Sequence, residues 1–138
     1  MERIMENLKA SDVMVRPVVS AKEDASARDV ALQLASGHNS GMPVTNAKGE
    51  LIGIVTELDI LNAIYEGKEL MEITAKDIMR ENVMTAQPET RVKDIIETMS
   101  EWNFIRVPVV DKEGKLLGIV ARCDILNAHI HPEFVTHS

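Results

Sequence analysis

The sequence predicts an α+β protein, a mixture of helix and strand, made of two copies of one unit. Each copy reads helical turn, strand, helix, strand, strand, helix. Two observations carry this. The stretch Gly53-Ile54-Val55-Thr56-Glu57-Leu58-Asp59-Ile60-Leu61-Asn62-Ala63 returns as Gly118-Ile119-Val120-Ala121-Arg122-Cys123-Asp124-Ile125-Leu126-Asn127-Ala128, identical at eight of eleven positions. The 65-residue offset then holds without a gap between residues 10–65 and 75–130, with 18 of 56 positions identical. Repetition this dense marks one supersecondary unit written twice.

Residues 1–9 form a short amphipathic extension, with Ile4, Met5 and Leu8 on one side. Each repeat opens on a helical turn, Ser11-Asp12-Val13-Met14 and Lys76-Asp77-Ile78-Met79. Short strands are expected at Val18-Val19-Ser20 and Val83-Met84-Thr85. A helix follows, because Ala27, Val30, Ala31 and Leu34 fall at i, i+3, i+4, i+7, as do Val92, Ile95, Ile96 and Met99. Gly37 is a C-cap candidate. The next strands, Met42–Thr45 and Val107–Val110, carry Pro43 and Pro108, and a missing ladder donor places proline at a strand start or edge. Asn46-Ala47-Lys48-Gly49 and Asp111-Lys112-Glu113-Gly114 are turns with glycine at the positive-φ position. Leu51–Val55 and Leu116–Val120 return as hairpin partners, and the last helices start near Thr56 and Ala121. Residues 66–74 read as a linker and 131–138 as a tail. A unit of about 56 residues with three short strands is marginal alone. The two copies are therefore expected to stack about a pseudo-twofold axis, leaving one cleft per copy.

Composition narrows the function. The chain has 138 residues and 45% apolar content, ordinary for a globular protein. Its apolar runs are far too short to span a membrane. The charged, alternating N-terminus is no signal peptide, and with Cys123 as the single cysteine a reducing cytoplasm is expected. A net charge of -7 and few aromatics argue against nucleic acid.

The tandem pattern of a proline-bearing strand, an Asn- or Asp-initiated turn closed by glycine, and then G-I-V-x-x-x-D-I-L resembles a pair of cystathionine-β-synthase (CBS) domains over about residues 10–130. The resemblance implies a regulatory module that binds adenosine-containing ligands, AMP, ADP, ATP or S-adenosylmethionine, in clefts between the repeats. It also implies a homodimer and a regulated partner protein. The resemblance further implies that the ligand is a regulatory signal and that no cofactor is required. The family motif G-h-h-[ST]-x-x-D implies that Thr56 faces phosphate and that Asp59 accepts from ribose hydroxyls, with Asp124 as the counterpart. A helix N-terminus suits an anion, and a carboxylate can take two vicinal hydroxyls. The same Thr-x-x-Asp spacing is also that of a capping box, which would satisfy backbone donors alone. Repeat two has Ala121 in place of the hydroxyl, so its cleft is expected to be the weaker. Conversely, Arg106 precedes Val107-Pro108 where repeat one has Gly41. The resemblance implies that such a residue reaches phosphate, and one complete site is expected from Thr56, Asp59 and Arg106. Ser20 and Thr85 match positions lining sugar and base, or are ordinary turn residues. Val18, Met42, Pro43 and Val44, with their twins Val83, Val107, Pro108 and Val109, either line an adenine slot or fill the core.

Other chemistry is thin. His129-Ile130-His131 lacks a third ligand at a supporting spacing. Cys123 near a helix start could have a lowered thiol pKa or serve as a filler residue. No nucleophile, phosphate-loop or zinc-protease motif is present, so binding without catalysis is expected. The alternative is an adaptor or oligomerisation module with vestigial clefts.

Overall fold

The computed structural model describes residues 7–36 and 41–135. The expected roles of Ile4, Met5, Gly37 and residues 136–138 lie outside them. In chain order the elements are α1 (Ala10–Val13), β1 (Ala21–Lys22), α2 (Ala27–Ala35), β2 (Gly41–Thr45), β3 (Leu51–Thr56), α3 (Glu57–Tyr65), α4 (Ala75–Ile78), α5 (Val92–Trp102), β4 (Arg106–Val110), β5 (Leu116–Ala121) and α6 (Arg122–Ile130), then a 3-10 turn at Pro132–Phe134. They form two compact units. The first joins the chain up to Val18 with that from Met84 onward; the second is Val19–Val83.

The unit borders cut across the sequence repeats. The opening turn of repeat one, α1, belongs with β4, β5, α5 and α6, whereas α4 belongs with the elements of repeat one. Backbone hydrogen bonds explain this. Ala10 N–H donates to the Thr90 carbonyl at 2.8 Å and Ser11 N–H to that of Pro88 at 3.0 Å; Ala75 N–H donates to the Ala25 carbonyl at 2.8 Å and Lys76 N–H to that of Glu23 at 3.1 Å. These bonds satisfy donors that a four-residue helix cannot satisfy internally. Each turn is thus completed by a segment distant in sequence.

In the second unit β1, β2 and β3 make one sheet, with β1 parallel to β2 through Ala21↔Val44 and Lys22↔Thr45, and β2 antiparallel to β3. The first unit has the β4–β5 hairpin, and Ala86 bridges in parallel to Val109 where β1 would lie. The strand expected at Val18–Ser20 therefore starts later, at Ala21. Val18 ends one unit and Val19 begins the other, so this stretch is the passage between them, and pairing starts where the chain runs beside Val44.

Pro43 corrects the expectation of a strand start or edge: it is the third residue of β2, the middle strand of its sheet, whereas Pro108, also third in its strand, lies in β4, an edge strand of a two-stranded sheet, as expected. The register makes this harmless. Pro43 faces Ile54, whose N–H and carbonyl turn outward to the Arg80 carbonyl and N–H at 3.0 and 2.8 Å; Pro108 faces Ile119, which exchanges the same pair of bonds with Val15. In an antiparallel ladder such a pair exchanges no bonds, so the missing donor costs nothing. The hairpin turns follow the sequence: Asn46 Oδ1 accepts from Lys48 and Glu50, Asp111 Oδ1 from Glu113 and Lys115, and Gly49 and Gly114 have φ of 82° and 86°.

Each unit has its own core. In the second, Ala27, Val30 and Leu34 of α2 pack with Met42, Val44, Val55, Ile60 and Ala75. In the first, Val92, Ile95 and Met99 of α5 pack with Val107, Val109, Val120, Ile125 and, from the chain's start, Leu8, Ala10 and Val13. The α2 and α5 stripes fall on the expected spacing, although Ile96 remains exposed. Gly53 and Gly118 let the opening turns approach the sheet. A Cβ on Gly53 would lie 2.5 Å from Met79 Sδ and 2.8 Å from the Arg80 carbonyl oxygen; one on Gly118 would lie 2.7 Å from Met14 Sδ.

Candidate adenosine-binding helix starts

Strands β3 and β5 deliver the chain into α3 and α6, placing Asp59 and Asp124 at the third position of nine-residue helices. Thr56 is the N-cap of α3, extended at φ -107°, ψ 167°. Its N–H donates to Asp59 Oδ2 at 2.8 Å and its hydroxyl to the same oxygen at 2.9 Å, while Asp59 N–H donates to Thr56 Oγ1 at 3.4 Å. The capping box is therefore formed. In α6 only half of it exists. Ala121 N–H donates to Asp124 Oδ2 at 2.8 Å, and alanine offers no acceptor in return.

The same aspartate half-box opens the short turns. Lys9 N–H donates to Asp12 Oδ2 at 2.9 Å and Thr74 N–H to Asp77 Oδ2 at 2.8 Å. Hydrogen bonds from the Thr74 backbone and then its side chain hold the Asp77 carboxyl below its usual value of 3.8. Capping is thus a property of all four aspartates. Capping also leaves Oδ1 of Asp59 and Asp124 for other donors.

Those second oxygens differ. Asp59 Oδ1 accepts from Arg80 Nε at 3.1 Å; the Asp59 side chain is 11% exposed and that of Arg80 58%. Arg80 is positioned by its reciprocal backbone bonds to Ile54. The matching position in the first unit is Val15, held by the same bonds to Ile119, and it brings no charge. Asp124 Oδ1 instead faces the Cys123 thiol at 4.0 Å, a weak contact. Arg106, however, lies opposite Ala121 in the β4–β5 register, where the second unit pairs Gly41 with Thr56. Each helix start therefore has an arginine in its own unit, reached by a different route.

A cavity adjoins each aspartate. In the first unit Asp12, Asp124, Asn127 and His131 are among the residues lining about 500 Å³; in the second Asp77, Asp59, Asn62 and Glu66 help to line about 180 Å³. Carboxylates and a carboxamide suit hydroxyl and amine donors, and Lys68, paired with Glu66 at 3.2 Å, adds a cation to the lining of the smaller cavity. Ser20 and Thr85 are exposed just before Ala21 and Ala86. Met42, Val44, Val107 and Val109 fill the cores, and Pro43 and Pro108 are buried beside them in their strands. Among the described residues no group of three His, Cys, Asp or Glu side chains is arranged to hold a metal ion. No helix among them is long and apolar enough to cross a membrane. Cys123 is exposed and unpaired by disulfide.

Sequence reasoning missed Arg80, Asn62 and Asn127 as site neighbours. The asparagines are identical at the 65-residue offset and carried that signal. Arg80 carried none, because its counterpart is Val15.

Tandem repeats with this hairpin, these glycines and an aspartate at the last helix start define a CBS-type pair. The CBS domain family model matches residues 10–66 and 75–131, and the chain belongs to that family. It is 32% identical, over 88% of its length, to an uncharacterised protein of Methanopyrus kandleri, of which it spans only 63%. Among solved structures it resembles the CBS domain pair of protein MJ0100 in complex with 5′-methylthioadenosine and S-adenosylmethionine. That likeness has 30% identity and a TM-score of 0.75, and covers 91% of this chain and 98% of that one. The cytosolic domain of the Mg2+ channel MgtE in complex with ATP is similar at 25% identity and a TM-score of 0.74, covering 87% of this chain and 48% of that one.

Proposed function

We propose that this CBS pair is a regulatory module that binds an adenosine-containing ligand and passes its occupancy to a partner protein, acting in the cytoplasm as a homodimer and without catalysing a reaction. One observation carries the reading: at both long helix starts an aspartate beside a cavity is fixed by one oxygen on the N-cap N–H, and its other oxygen keeps accepting capacity for a ribose hydroxyl, beside the Arg80 Nε bond at Asp59 and beside only the weak Cys123 contact at Asp124. The ligand classes held by the 30% and 25% identical relatives support it. In the second unit Thr56 and Arg80 favour a phosphate-bearing ligand; Arg106 contributes the positive charge that repeat one lacks at Gly41. Ser20 and Thr85 complete the sugar and base contacts. Occupancy is transmitted only if two states of the module differ in ligand affinity.

The test is thermal unfolding against AMP, ADP, ATP, S-adenosylmethionine and methylthioadenosine. Ligand at about 100 times its dissociation constant adds roughly 2.7 kcal/mol, a midpoint rise of roughly 5–10 °C for a chain of this size. The rise should vanish for that ligand in Asp59→Ala or in Asp124→Ala, and shrink in Arg106→Ala for a phosphorylated one. No rise with any of the five at millimolar concentration would leave the adaptor reading, which Ala121 already favours in the first unit.

A further inference from the structure

We infer that Asn127, and Asn62 in the second unit, select adenine by pairing with its Hoogsteen edge, the side of the ring that carries N6 and N7. This rests on the adenosine reading above and adds how the base is told apart from another purine. Each asparagine stands three residues after its aspartate, Asp124 or Asp59, and the pair is identical at the 65-residue offset. Three residues advance a helix by about 4.5 Å and leave both side chains on one face.

The cavities supply what a base requires. In the first unit Asn127 and Asp124 line the same space of about 500 Å³, and Val13, Met14, Ala128 and Val135 give it an apolar wall. A small-molecule site combines such a wall for the ring with a few placed polar groups. In the second unit Asn62 and Asp59 share the smaller cavity, where Ala63 and Ile78 are the apolar residues. The strand residues offer no rival slot. Met42, Val44, Val107 and Val109 are closed into the two cores, and Pro43 and Pro108 are buried beside them. In the first unit Arg106 lies opposite Ala121, at the start of α6. With phosphate on that side and ribose at Asp124, the base falls one turn further along α6, beside Asn127.

The carboxamides are free to act. Both asparagines are exposed, and among the described residues neither side chain has a hydrogen-bond partner. A carboxamide presents an acceptor and donors side by side, whereas an ionised aspartate only accepts. On the Hoogsteen edge adenine donates from N6 and accepts at N7, so both bonds form together. Guanine accepts at both O6 and N7, and one of the two bonds is lost. With the base turned away from its sugar the Watson–Crick edge is the remote one, so a group one turn from the ribose contact meets N7 first.

The experiment is calorimetric titration of the full chain with AMP, 7-deaza-AMP and GMP, beside a double variant carrying Asn62→Ala and Asn127→Ala. Methylthioadenosine and its 7-deaza form are run in parallel, so that a site without room for phosphate is also read. Alanine is a better helix former than asparagine, so these exposed substitutions leave the fold in place. The wild-type chain is expected to bind the adenine ligand roughly tenfold or more tighter than its 7-deaza form and than GMP, the scale of one bidentate base contact. The double variant should bind the adenine ligand more weakly and lose the preference. Equal binding of the 7-deaza form by the wild type, or a preference that survives in the double variant, would overturn the inference. A wild-type chain that binds neither AMP nor methylthioadenosine would instead overturn the adenosine reading itself.

Discussion

Asp59 sits between two donors with different meanings. Its Oδ2 oxygen holds the start of α3, and its Oδ1 oxygen holds Arg80 across the site. A guanidinium bound through Nε keeps both terminal nitrogens for another acceptor, and with the side chain 58% exposed those nitrogens are accessible. Arg80→Ala is therefore expected to lower affinity for ATP or ADP by roughly tenfold, the scale of one charge-assisted bond, while leaving methylthioadenosine binding nearly unchanged. Calorimetric titration of both ligands measures the ratio, and an equal loss for the two would remove Arg80 from the phosphate end. The capping role of the aspartates was legible from Thr-x-x-Asp spacing alone, because a cap is local in sequence. Arg80 was not, because it reaches Asp59 only through a backbone pairing with Ile54 twenty-six residues earlier in the chain.

At the scale of elements, the repeated glycine of the hairpin strand is a packing device. The opening turn, with Met79 or Met14 at its end, lies where a side chain on Gly53 or Gly118 would be. The two positions should differ under substitution. At Gly118 the three atoms nearest an added Cβ all belong to the Met14 side chain, whose Sδ and Cγ can swing away, while at Gly53 the added Cβ also meets the Arg80 carbonyl at 2.8 Å. Gly53→Ala is expected to cost about 1–3 kcal/mol and Gly118→Ala clearly less. Urea unfolding of the two variants, with ligand absent, checks the order; equal losses would mean that both turns move freely. Element types and most borders were readable from periodicity and turn chemistry, as with α2, α5 and the two hairpins. Two expectations needed the structure. The strand at Val18–Ser20 began later because its partner is β2, and Pro43 could stand mid-strand because Ile54 bonds outward.

For the whole molecule, repeat borders and unit borders disagree, and only the former are visible in the sequence. A repeat at fixed offset shows where similarity starts, but not which copy's backbone completes α1 or α4. The disagreement predicts how the chain behaves when cut. Fragments split in the 66–74 linker separate α4 and its bonds to Glu23 and Ala25 from the second unit, and α1 from α5 and its sheet. Each fragment alone should melt far below the intact chain, and an equimolar mixture should regain much of the lost helix signal by circular dichroism. Fragments that fold fully on their own would show the exchanged turns to be dispensable.

Arg80 is three residues before Val83, where the second unit ends, and Val15 is three residues before Val18, where the first gives way. Three residues reach at most about 10 Å. The backbone that grips β3 and carries the arginine is thus the same short tether that leads out of the unit. A ligand that drew Arg80 toward its phosphates would tug on that tether directly, so news of binding could travel along the covalent chain without needing a relay of side chains.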